Sequence, residues 1–437
     1  MLSWKSECNG TRALLIEGAH HVGKTTMVLD FASREYESYL YIDFTKADKI
    51  TRDIFMTYSE DYDALFQRLQ LKYRTSLVKR GSVIIFDEVQ AFPEARQMIK
   101  HLVADGRYDY IETGSLISIR QNVDKILIPS EERRIRMHPM DFEEFLWAQG
   151  DDVTVPLLRQ AFESRTPLGH ELHKMVMSRY ATYMLVGGMP QAVETLIGTN
   201  DYSKVEATKR DILDLYAEDM SKIDRDQTAK ARNIFLNIPG MLSKHEKSFS
   251  PSSIRTNSRT REYMNAVTWL RESRIVNVCL RCTDPGPALG LSVDEMSFKL
   301  YMLDTGLLFT SSFQIIDEDW DEVYEQFLGG RYGLNKGMFM ENMVAQTLVA
   351  SGHPLYFCRF RTKGSDKSHE VDFLMSSARS VVPIECKSGQ NSTQHASLDR
   401  FMEKYSEWVG PAYVVHMKDL RTEGGVTYVP IYMSMFL

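Results

Sequence analysis

The stretch EGAHHVGKTT, residues 17–26, lies between an apolar run and a segment with helical spacing. Residues 18–25 fit the pattern G-x-x-x-x-G-K-[ST] at every fixed position. Glycines in such a loop let backbone N–H groups surround phosphate oxygens, and the N-terminus of the next helix adds partial positive charge. The stretch therefore predicts a phosphate-binding loop that joins a strand to a helix.

The side chains of this loop predict a nucleotide and Mg²⁺ as ligands. Lys24 can reach the β- and γ-phosphates, and the Thr25 hydroxyl can bind Mg²⁺. The adjacent histidines raise two alternatives, a metal site or a histidine-based catalytic centre, but no further metal ligands lie nearby at a suitable spacing. We therefore assign both histidines to the variable positions of the loop. The predicted nucleotide-binding residues are Gly18, Ala19, His20, His21, Val22, Gly23, Lys24, Thr25 and Thr26.

Two later strand ends carry polar residues that suit the same site. The apolar run SVIIFDE, residues 82–88, ends in Asp87 and Glu88. An aspartate there can hold Mg²⁺, and the adjacent glutamate can activate the attacking water. The run YIETGS places Thr113 and Ser115 at the end of the next strand, where ligands collect in parallel sheets. The alternative for all four residues is that they only cap the following helices or turns.

Arginines outside the loop are candidates for a further role. Arg133, Arg134 and Arg136 lie in EERRIRMHP. An arginine finger supplied by this chain or by a neighbouring subunit is one interpretation. The other is that these residues are charges on an exposed strand.

The pattern along the chain predicts an α/β protein of four regions. Strand-like and helix-like segments alternate over residues 1–150, which predicts a doubly wound parallel sheet. Residues 151–235 are mostly helical in pattern. In residues 236–310 helical segments and turns lead into a strand, an order typical of a winged helix-turn-helix. The alternation of helices and strands returns over residues 311–437.

Composition limits where partners can bind. Hydrophobic residues make up 43% of the chain, charged residues 25%, and the net charge is -7. A DNA-binding surface must then be local, and residues 244–281 are the candidate because they hold eight Lys or Arg against three acids. The alternative is a solvated helical face. A protein partner or a second copy of the chain is also compatible with this composition.

The chain is expected to be cytoplasmic. Its five cysteines are an odd number spread thinly, which favours a reducing setting, and the CxxC pair Cys279 and Cys282 is interpreted as part of the core. The opening MLSWKSECNG lacks the apolar core of a signal peptide. No apolar run reaches the length of about 18 residues that a transmembrane helix needs.

A second constellation of charged residues lies near the C-terminus. Asp372 is on the strand-like run HEVDFLM, and Glu385 and Lys387 are two residues apart on the next, so they share a face. Two carboxylates beside a lysine can hold a divalent cation and position water for attack on a phosphodiester. Glu341, on an upstream helix, could add a third carboxylate. Alternation of charges on an exposed strand is the competing interpretation.

The sequence resembles bacterial and archaeal AAA-type ATP-binding proteins whose C-terminal domain has a restriction-endonuclease-like core. The resemblance extends over nearly the whole chain through the segments GAHHVGKTT, IIFDEVQ, ETGSL, HPMDFEEFL, LVGGMPQAV, FKLYMLDTGLL, GMFMENMVAQTL and EVDFLM with IECKSG. It implies a P-loop NTPase domain, a winged helix and a PD-(D/E)xK-like end. It also implies the loop and Mg²⁺ roles given above, and a nuclease-like site at Glu341, Asp372, Glu385 and Lys387.

Three functions are compatible with these features. The leading hypothesis is a Mg²⁺-dependent ATPase coupled to a DNA-binding, nuclease-like C-terminal half, in which Lys24, Glu88 and Thr113 take part in catalysis. The second is a nucleotide-dependent interaction switch that hydrolyses little ATP and cuts no DNA. The third is a nuclease that ATP regulates.

Overall fold

A computed structural model of the chain describes residues 1–114, 131–223, 225–244, 247–254, 258–313, 319–329, 336–362, 367–389 and 395–437. These residues form two compact units. The first unit comprises residues 1–138 and 272–274, and the second comprises residues 139–271 and 275–437. The first unit thus ends before residue 150, where the sequence pattern placed the end of the first domain.

The first unit alternates strands and helices. Its helices are α1 (Leu2–Cys8), α2 (Lys24–Glu35), α3 (Lys49–Thr57), α4 (Tyr62–Tyr73) and α5 (Pro93–Asp105). Its strands are β1 (Ala13–Glu17), β2 (Ser38–Asp43), β3 (Ser82–Asp87), β4 (Asp109–Gly114) and β5 (Glu132–Arg136).

The five strands of the first unit form one parallel sheet in the order β2-β3-β4-β1-β5. Every residue of β1, β3 and β4 is buried, as expected for parallel strands that helices cover on both faces. The carboxyl ends of the strands lie at one edge, the place where ligands bind in sheets of this kind. The predicted parallel sheet is confirmed.

The second unit begins with a helical region and ends in a mixed sheet. Its helices are α6 (Phe142–Ala148), α7 (Thr154–Glu163), α8 (His170–Val186), α9 (Pro190–Thr199), α10 (Tyr202–Met220), α11 (Arg225–Leu242), α12 (Met264–Glu272), α13 (Thr305–Ser312), α14 (Trp320–Leu328), α15 (Lys336–Ala350) and α16 (Ala396–Lys404). Its strands are β6 (Val276–Cys282), β7 (Val293–Met302), β8 (Tyr356–Arg361), β9 (Ser368–Ser376), β10 (Val381–Lys387), β11 (Ala412–His416), β12 (Arg421–Glu423) and β13 (Val426–Pro430).

The strands of the second unit form one sheet in the order β12-β13-β11-β10-β9-β8-β6-β7. Strands β8, β9 and β10 are antiparallel neighbours, and β11 lies parallel to β10. The strand that the sequence placed at the end of a winged helix is β6, and β6 pairs with both β7 and β8 and so belongs to this sheet. A separate winged helix over residues 236–310 is therefore not confirmed, and the predicted boundary at residue 310 falls between strands of one sheet.

Two glycines of the second unit, Gly188 and Gly306, lie where backbone segments approach each other closely. Asp304 caps the N-terminus of α13 and accepts hydrogen bonds from the backbone N–H groups of Leu307 (2.9 Å) and Gly188 (2.7 Å). A Cβ on Gly188 would lie 2.0 Å from the Met140 carbonyl oxygen, and one on Gly306 would lie 2.4 Å from that of Val186. Gly188 therefore permits the close approach of Met140, and Gly306 permits the contact between the segments LVGGMPQAV and LDTGLL.

Two further sequence expectations concern the core and the helices. Cys279 and Cys282 are buried on β6 and carry free thiols, which confirms their assignment to the core. None of the helices in the described ranges combines the length and apolar character of a membrane span.

Candidate nucleotide site and a second charged cluster

The loop of residues 18–23 leads from β1 directly into α2. Gly23 has φ 94°, in the left-handed region that glycine tolerates, and α2 begins at the next residue. A Cβ on Gly18 would lie 2.5 Å from the Met137 carbonyl oxygen. The buried Lys24 ammonium donates hydrogen bonds to the carbonyl oxygens of Gly18 (3.1 Å) and Ala19 (2.9 Å). Thus Lys24 lies against the loop that phosphates would enter.

Asp87, at the end of β3, accepts hydrogen bonds from three hydroxyl groups. Thr25 Oγ1 lies 3.1 and 3.0 Å from its two carboxylate oxygens, Tyr41 donates at 2.6 Å, and Thr113 donates from β4. Only 3% of Asp87 is exposed, so these charge-assisted bonds hold its carboxylate in one orientation. A hydroxyl and a carboxylate about 3 Å apart are hard oxygen ligands suited to Mg²⁺. Thr25 and Asp87 therefore fit the predicted ion.

Glu88 follows in a strained backbone conformation. Its φ is 51°, in the left-handed region, which is unfavourable for a residue with a Cβ and is concentrated at functional sites. Its N–H donates to Thr113 Oγ1 at 3.1 Å, and its carboxylate accepts from the Gln90 amide. The same carboxylate lies 3.8 Å from His20 Nε2 in the loop. Glu88 is thus turned towards the loop, where a carboxylate can accept a proton from water.

Other residues of this site divide into predicted and unpredicted members. Val22 is buried in the loop, and Thr26 is exposed on α2. The backbone of His21 has φ 63°, in the left-handed region. Ser115 lies outside the described residues. Tyr41 was not predicted. Burial, followed by the hydrogen bond to Asp87, raises the pKa of Tyr41. Its hydroxyl group therefore stays protonated and donates to Asp87. The position of Tyr41 beside Asp87 follows from the register of β2 with β3, which pairs Asp43 with Asp87 and cannot be read from the sequence.

The three predicted arginine candidates, Arg133, Arg134 and Arg136, lie on β5, and the first two contact acids within the first unit. Arg133 contacts Glu7 at 2.6 Å and Arg134 contacts Glu132 at 3.5 Å. Both arginine side chains are more than a third exposed. These contacts fit the interpretation as charges on an exposed strand.

A buried ionic cluster behind these arginines was not predicted. Arg96 of α5 donates to both carboxylate oxygens of Glu132 at 3.1 Å and lies 3.9 Å from Glu112 of β4. The side chains of all three residues are at most 3% exposed. Burial and the nearby Glu132 raise the pKa of Glu112 well above its ordinary range.

In the second unit, the sheet brings the C-terminal candidates into one charged cluster. Asp372 of β9 accepts a hydrogen bond from the Cys386 N–H at 2.8 Å, which ties it to β10. Lys387 donates to Glu385 Oε1 at 2.8 Å. Glu341 of α15 accepts from Tyr301 at 3.2 Å and is paired with Lys247. All four predicted residues of the nuclease-like site are therefore in this cluster.

Two lysines of the cluster were not predicted as site residues. Lys299 of β7 is fully buried and lies 2.7 Å from Glu370 and 3.7 Å from Asp372. The signal that could have identified Lys299 is a single charge within the apolar run SFKLYML. Lys247 was counted only as part of the basic segment, although it is mostly buried and paired with Glu341.

Electrostatics in the cluster favour the neutral form of two carboxyl groups. Burial, followed by repulsion from Glu341, raises the pKa of Asp372 to about 6. Burial, followed by repulsion from Asp372, raises the pKa of Glu385 to about 8. Glu385 is 5% exposed, and its Oε2 has no hydrogen-bond partner. An unpaired buried carboxylate oxygen beside a second carboxylate fits a cation. Within the described ranges, however, no three His, Cys, Asp or Glu side chains converge as a metal site.

Comparison with protein families identifies the class of the N-terminal part. Residues 10–146 match the AAA domain family, which supports an AAA-type P-loop domain that contains the loop, Asp87, Glu88 and Thr113. Residues 177–313 match a domain of unknown function, DUF8612, and residues 336–433 match another, DUF4143. No curated protein matches the chain.

Solved structures similar to the chain include proteins of DNA complexes. The Aeropyrum pernix ORC1 protein in complex with DNA is 13% identical, with a TM-score of 0.28 over 69% of this chain and 86% of that one. Drosophila ORC bound to DNA is 11% identical, with a TM-score of 0.27 over 73% and 90%. Cdc6p from Pyrobaculum aerophilum is 12% identical, with a TM-score of 0.23 over 72% and 88%. The assignment to the AAA class rests on the family match and the geometry of the loop.

Proposed function

We propose that the chain is a Mg²⁺-dependent ATPase of the AAA type. The observation that carries this proposal is the convergence of Thr25, Tyr41 and Thr113 on the Asp87 carboxylate, beside Lys24 and Glu88 at one edge of the parallel sheet. Mg²⁺, when bound, would neutralise charge on the phosphates. Thr25 and Asp87 would hold it.

The protein's own groups have distinct parts in this proposal. Lys24 exchanges its bonds to the loop carbonyl oxygens for bonds to phosphate oxygens, because an anion is the stronger acceptor. Glu88 accepts the proton of the attacking water. Thr113 joins Asp87 to the Glu88 N–H and so fixes the position of the glutamate relative to the metal ligand.

Two variants separate ATP binding from hydrolysis. Lys24→Ala is expected to lose both, whereas Glu88→Gln is expected to keep ATP binding and to lose at least about 100-fold in kcat. The matched control is Lys79→Ala, which removes an exposed lysine of the same unit. Phosphate release and titration with a fluorescent ATP analogue measure the two properties. Unchanged turnover in purified Lys24→Ala would overturn the proposal.

The alternative is a nucleotide-dependent switch with little hydrolysis. The observation in its favour is that Arg133 and Arg134 contact acids of their own unit, so neither is positioned as a free arginine finger. The rate of ATP hydrolysis with and without DNA discriminates between the two functions. Stimulation by DNA of about tenfold or more would exclude the passive switch.

For the C-terminal half we propose a divalent-cation-dependent, nuclease-like site. A helix, three antiparallel strands, a second helix and a parallel strand (α15, β8–β10, α16 and β11) follow the order of a PD-(D/E)xK core. Asp372 and the unpartnered Oε2 of Glu385 supply two neighbouring carboxylates in that core. DNA is the proposed substrate, bound with help from exposed basic residues within residues 244–281.

Cleavage assays test this second proposal. Linear, supercoiled and single-stranded DNA are incubated with Mg²⁺ or Mn²⁺, and the wild type is compared with Asp372→Asn. We expect cleavage by the wild type alone. Cleavage that persists in the variant would come from a contaminant and would end the proposal.

A further inference from the structure

Two side chains contact the carboxylate of Glu88, and both approach the same oxygen. The Gln90 amide donates to Oε2, and Nε2 of His20 in the loop lies 3.8 Å from that atom. The Glu88 side chain is 21% exposed, and holding a long side chain in one conformation costs entropy. The contacts to Oε2 therefore decide where the carboxylate lies, and they leave Oε1 to accept a proton from water.

The backbone of Glu88 is fixed independently of these contacts. Its φ of 51° sets the direction in which the side chain leaves the end of β3, and its N–H donates to Thr113 at 3.1 Å. Gln90 is two residues further along the same segment, so it moves together with Glu88. Among the described residues, His20 is the contact of this carboxylate that comes from the loop.

His20 follows directly on the part of the loop that Lys24 binds. The Lys24 ammonium donates to the carbonyl oxygens of Gly18 and Ala19, and Ala19 is the residue before His20. The Nε2–H tautomer of His20 and its protonated form both carry a hydrogen on Nε2, and a carboxylate neighbour favours these two forms. His20 can therefore donate to Glu88 in either charge state, from a backbone that lies beside the proposed phosphate ligand Lys24.

We propose that His20 is a positioning residue that holds the Glu88 carboxylate over the phosphate-binding loop. This inference rests on the proposed ATPase function and adds a residue to it. The distance of 3.8 Å is longer than a hydrogen bond, but contacts of catalytic groups often shorten when the substrate binds. With Oε2 held by His20 and Gln90, Oε1 is presented to the attacking water. Without His20, the carboxylate adopts more orientations, and fewer of them place an oxygen at that water.

Variants of His20 separate hydrogen-bond donation from shape. His20→Gln keeps an N–H donor at a similar reach, whereas His20→Leu keeps a branched side chain without a donor. The matched control is His101→Leu, which changes an exposed histidine of α5. His20→Leu is also combined with Glu88→Gln. Single-turnover hydrolysis of radiolabelled ATP with protein in excess measures the rate, titration with a fluorescent ATP analogue measures the Kd, and circular dichroism verifies folding.

We expect His20→Leu to slow hydrolysis about 10- to 100-fold and to change the Kd for ATP less than about threefold, because the base is misplaced while the phosphate ligands stay. His20→Gln should hydrolyse ATP within about threefold of the wild-type rate, and His101→Leu should match the wild type. In the Glu88→Gln background, His20→Leu should cause little further loss, since a residue that acts through Glu88 has no effect once the base is gone.

Several results would overturn the role of His20 and leave the ATPase standing. They are a wild-type rate in His20→Leu, an equal loss in His20→Gln and His20→Leu, and a weaker Kd with an unchanged rate, which would assign His20 to phosphate binding. A loss from His20→Leu that is as large with Glu88→Gln as without it would also do so. Wild-type turnover in both Lys24→Ala and Glu88→Gln would overturn the proposed ATPase function and this inference together.

Discussion

At the scale of single residues, Asp87 is the point through which the N-terminal site is organised. Its carboxylate receives hydroxyl groups from α2, β2 and β4, and Thr113 links it to the backbone of Glu88. A buried carboxylate with several donors has one preferred orientation, so the proposed metal ligand is positioned before any nucleotide binds. The hydroxyl of Thr113 is the part of this arrangement that joins the two acidic residues.

Thr113→Val tests this link because valine has nearly the same shape but no hydroxyl. The change leaves the Glu88 N–H without its acceptor and removes a donor from Asp87. We expect a loss of about 1–3 kcal/mol in the free energy of unfolding and a lower kcat with little change in the Kd for ATP. Urea unfolding and steady-state kinetics measure these effects.

The control for this variant is Thr57→Val, at the exposed end of α3. It should change the free energy of unfolding by less than about 0.5 kcal/mol. A Thr113→Val protein with wild-type kcat would show that the hydroxyl does not position Glu88 for hydrolysis.

The residues that sequence alone identified share a local signal. Lys24 and Thr25 belong to a fixed pattern, and Asp87 and Thr113 end apolar runs, so their positions follow from the strands that carry them. Tyr41 and Lys247 contact partners 46 and 94 residues away. No local pattern encodes such pairs, because they depend on which strands become neighbours and in which register.

At the scale of elements, a buried ionic cluster connects α5, β4 and β5. Arg96 is the cation that Glu112 and Glu132 share, and Arg134 reaches Glu132 only from the exposed side. Removing one member of a buried ion pair leaves the other charge without compensation, which costs more than the pair contributes when complete. The edge strand β5 therefore depends on one arginine of α5.

Arg96→Met is expected to destabilise the protein by about 3–5 kcal/mol, because the buried Glu132 would lose the guanidinium group that donates to both of its carboxylate oxygens. Arg133→Met, on a neighbouring position of β5, removes an exposed pair with Glu7 and should change the stability much less. Urea unfolding measures both values. Adding Glu132→Gln to Arg96→Met should recover part of the loss, and equal effects of the two single arginine variants would contradict this account.

Prediction from sequence succeeded for the first sheet, whereas the winged helix that was to contain β6 is not confirmed, because the two depend on different information. Strands that alternate with helices form a parallel sheet, so the local pattern predicts the first sheet but not its strand order, in which β1 lies between β4 and β5. The sequence pattern predicts strand β6 but not the sheet that it joins. β6 joins the sheet through its parallel pairing with β8, in which Leu280 lies opposite Tyr356 and Cys282 lies opposite Cys358.

At the scale of the whole molecule, a ligand that binds only the folded state should raise stability by mass action. In Glu88→Gln, where hydrolysis is expected to be absent, ATP with Mg²⁺ at about 100 times its Kd should add about 2.7 kcal/mol to the folded state. Differential scanning calorimetry measures the shift in Tm. Lys24→Ala is the control and should show no shift, and an equal shift in both variants would mean that ATP acts elsewhere.

The pH dependence of stability follows from the charged cluster of the second unit. Asp372 and Glu385 have ordinary pKa values of 3.8 and 4.5. Burial, with repulsion from Glu341 for Asp372 and from Asp372 for Glu385, raises these pKa values to about 6 and about 8. The folded chain thus retains protons that the unfolded chain releases. The stability that these groups contribute is complete below about pH 4 and is lost as the pH rises through about 6 and then about 8.

Glu385→Gln should therefore stabilise the protein at high pH and not at low pH, since glutamine resembles the protonated carboxyl group. Relative to the wild type, we expect a gain of about 1–3 kcal/mol near pH 9 that disappears near pH 5. Urea unfolding at the two pH values measures it, with the exposed Glu423→Gln as a control that should show no such difference. An identical effect of Glu385→Gln at both pH values would mean that Glu385 ionises alike in the folded and unfolded chains.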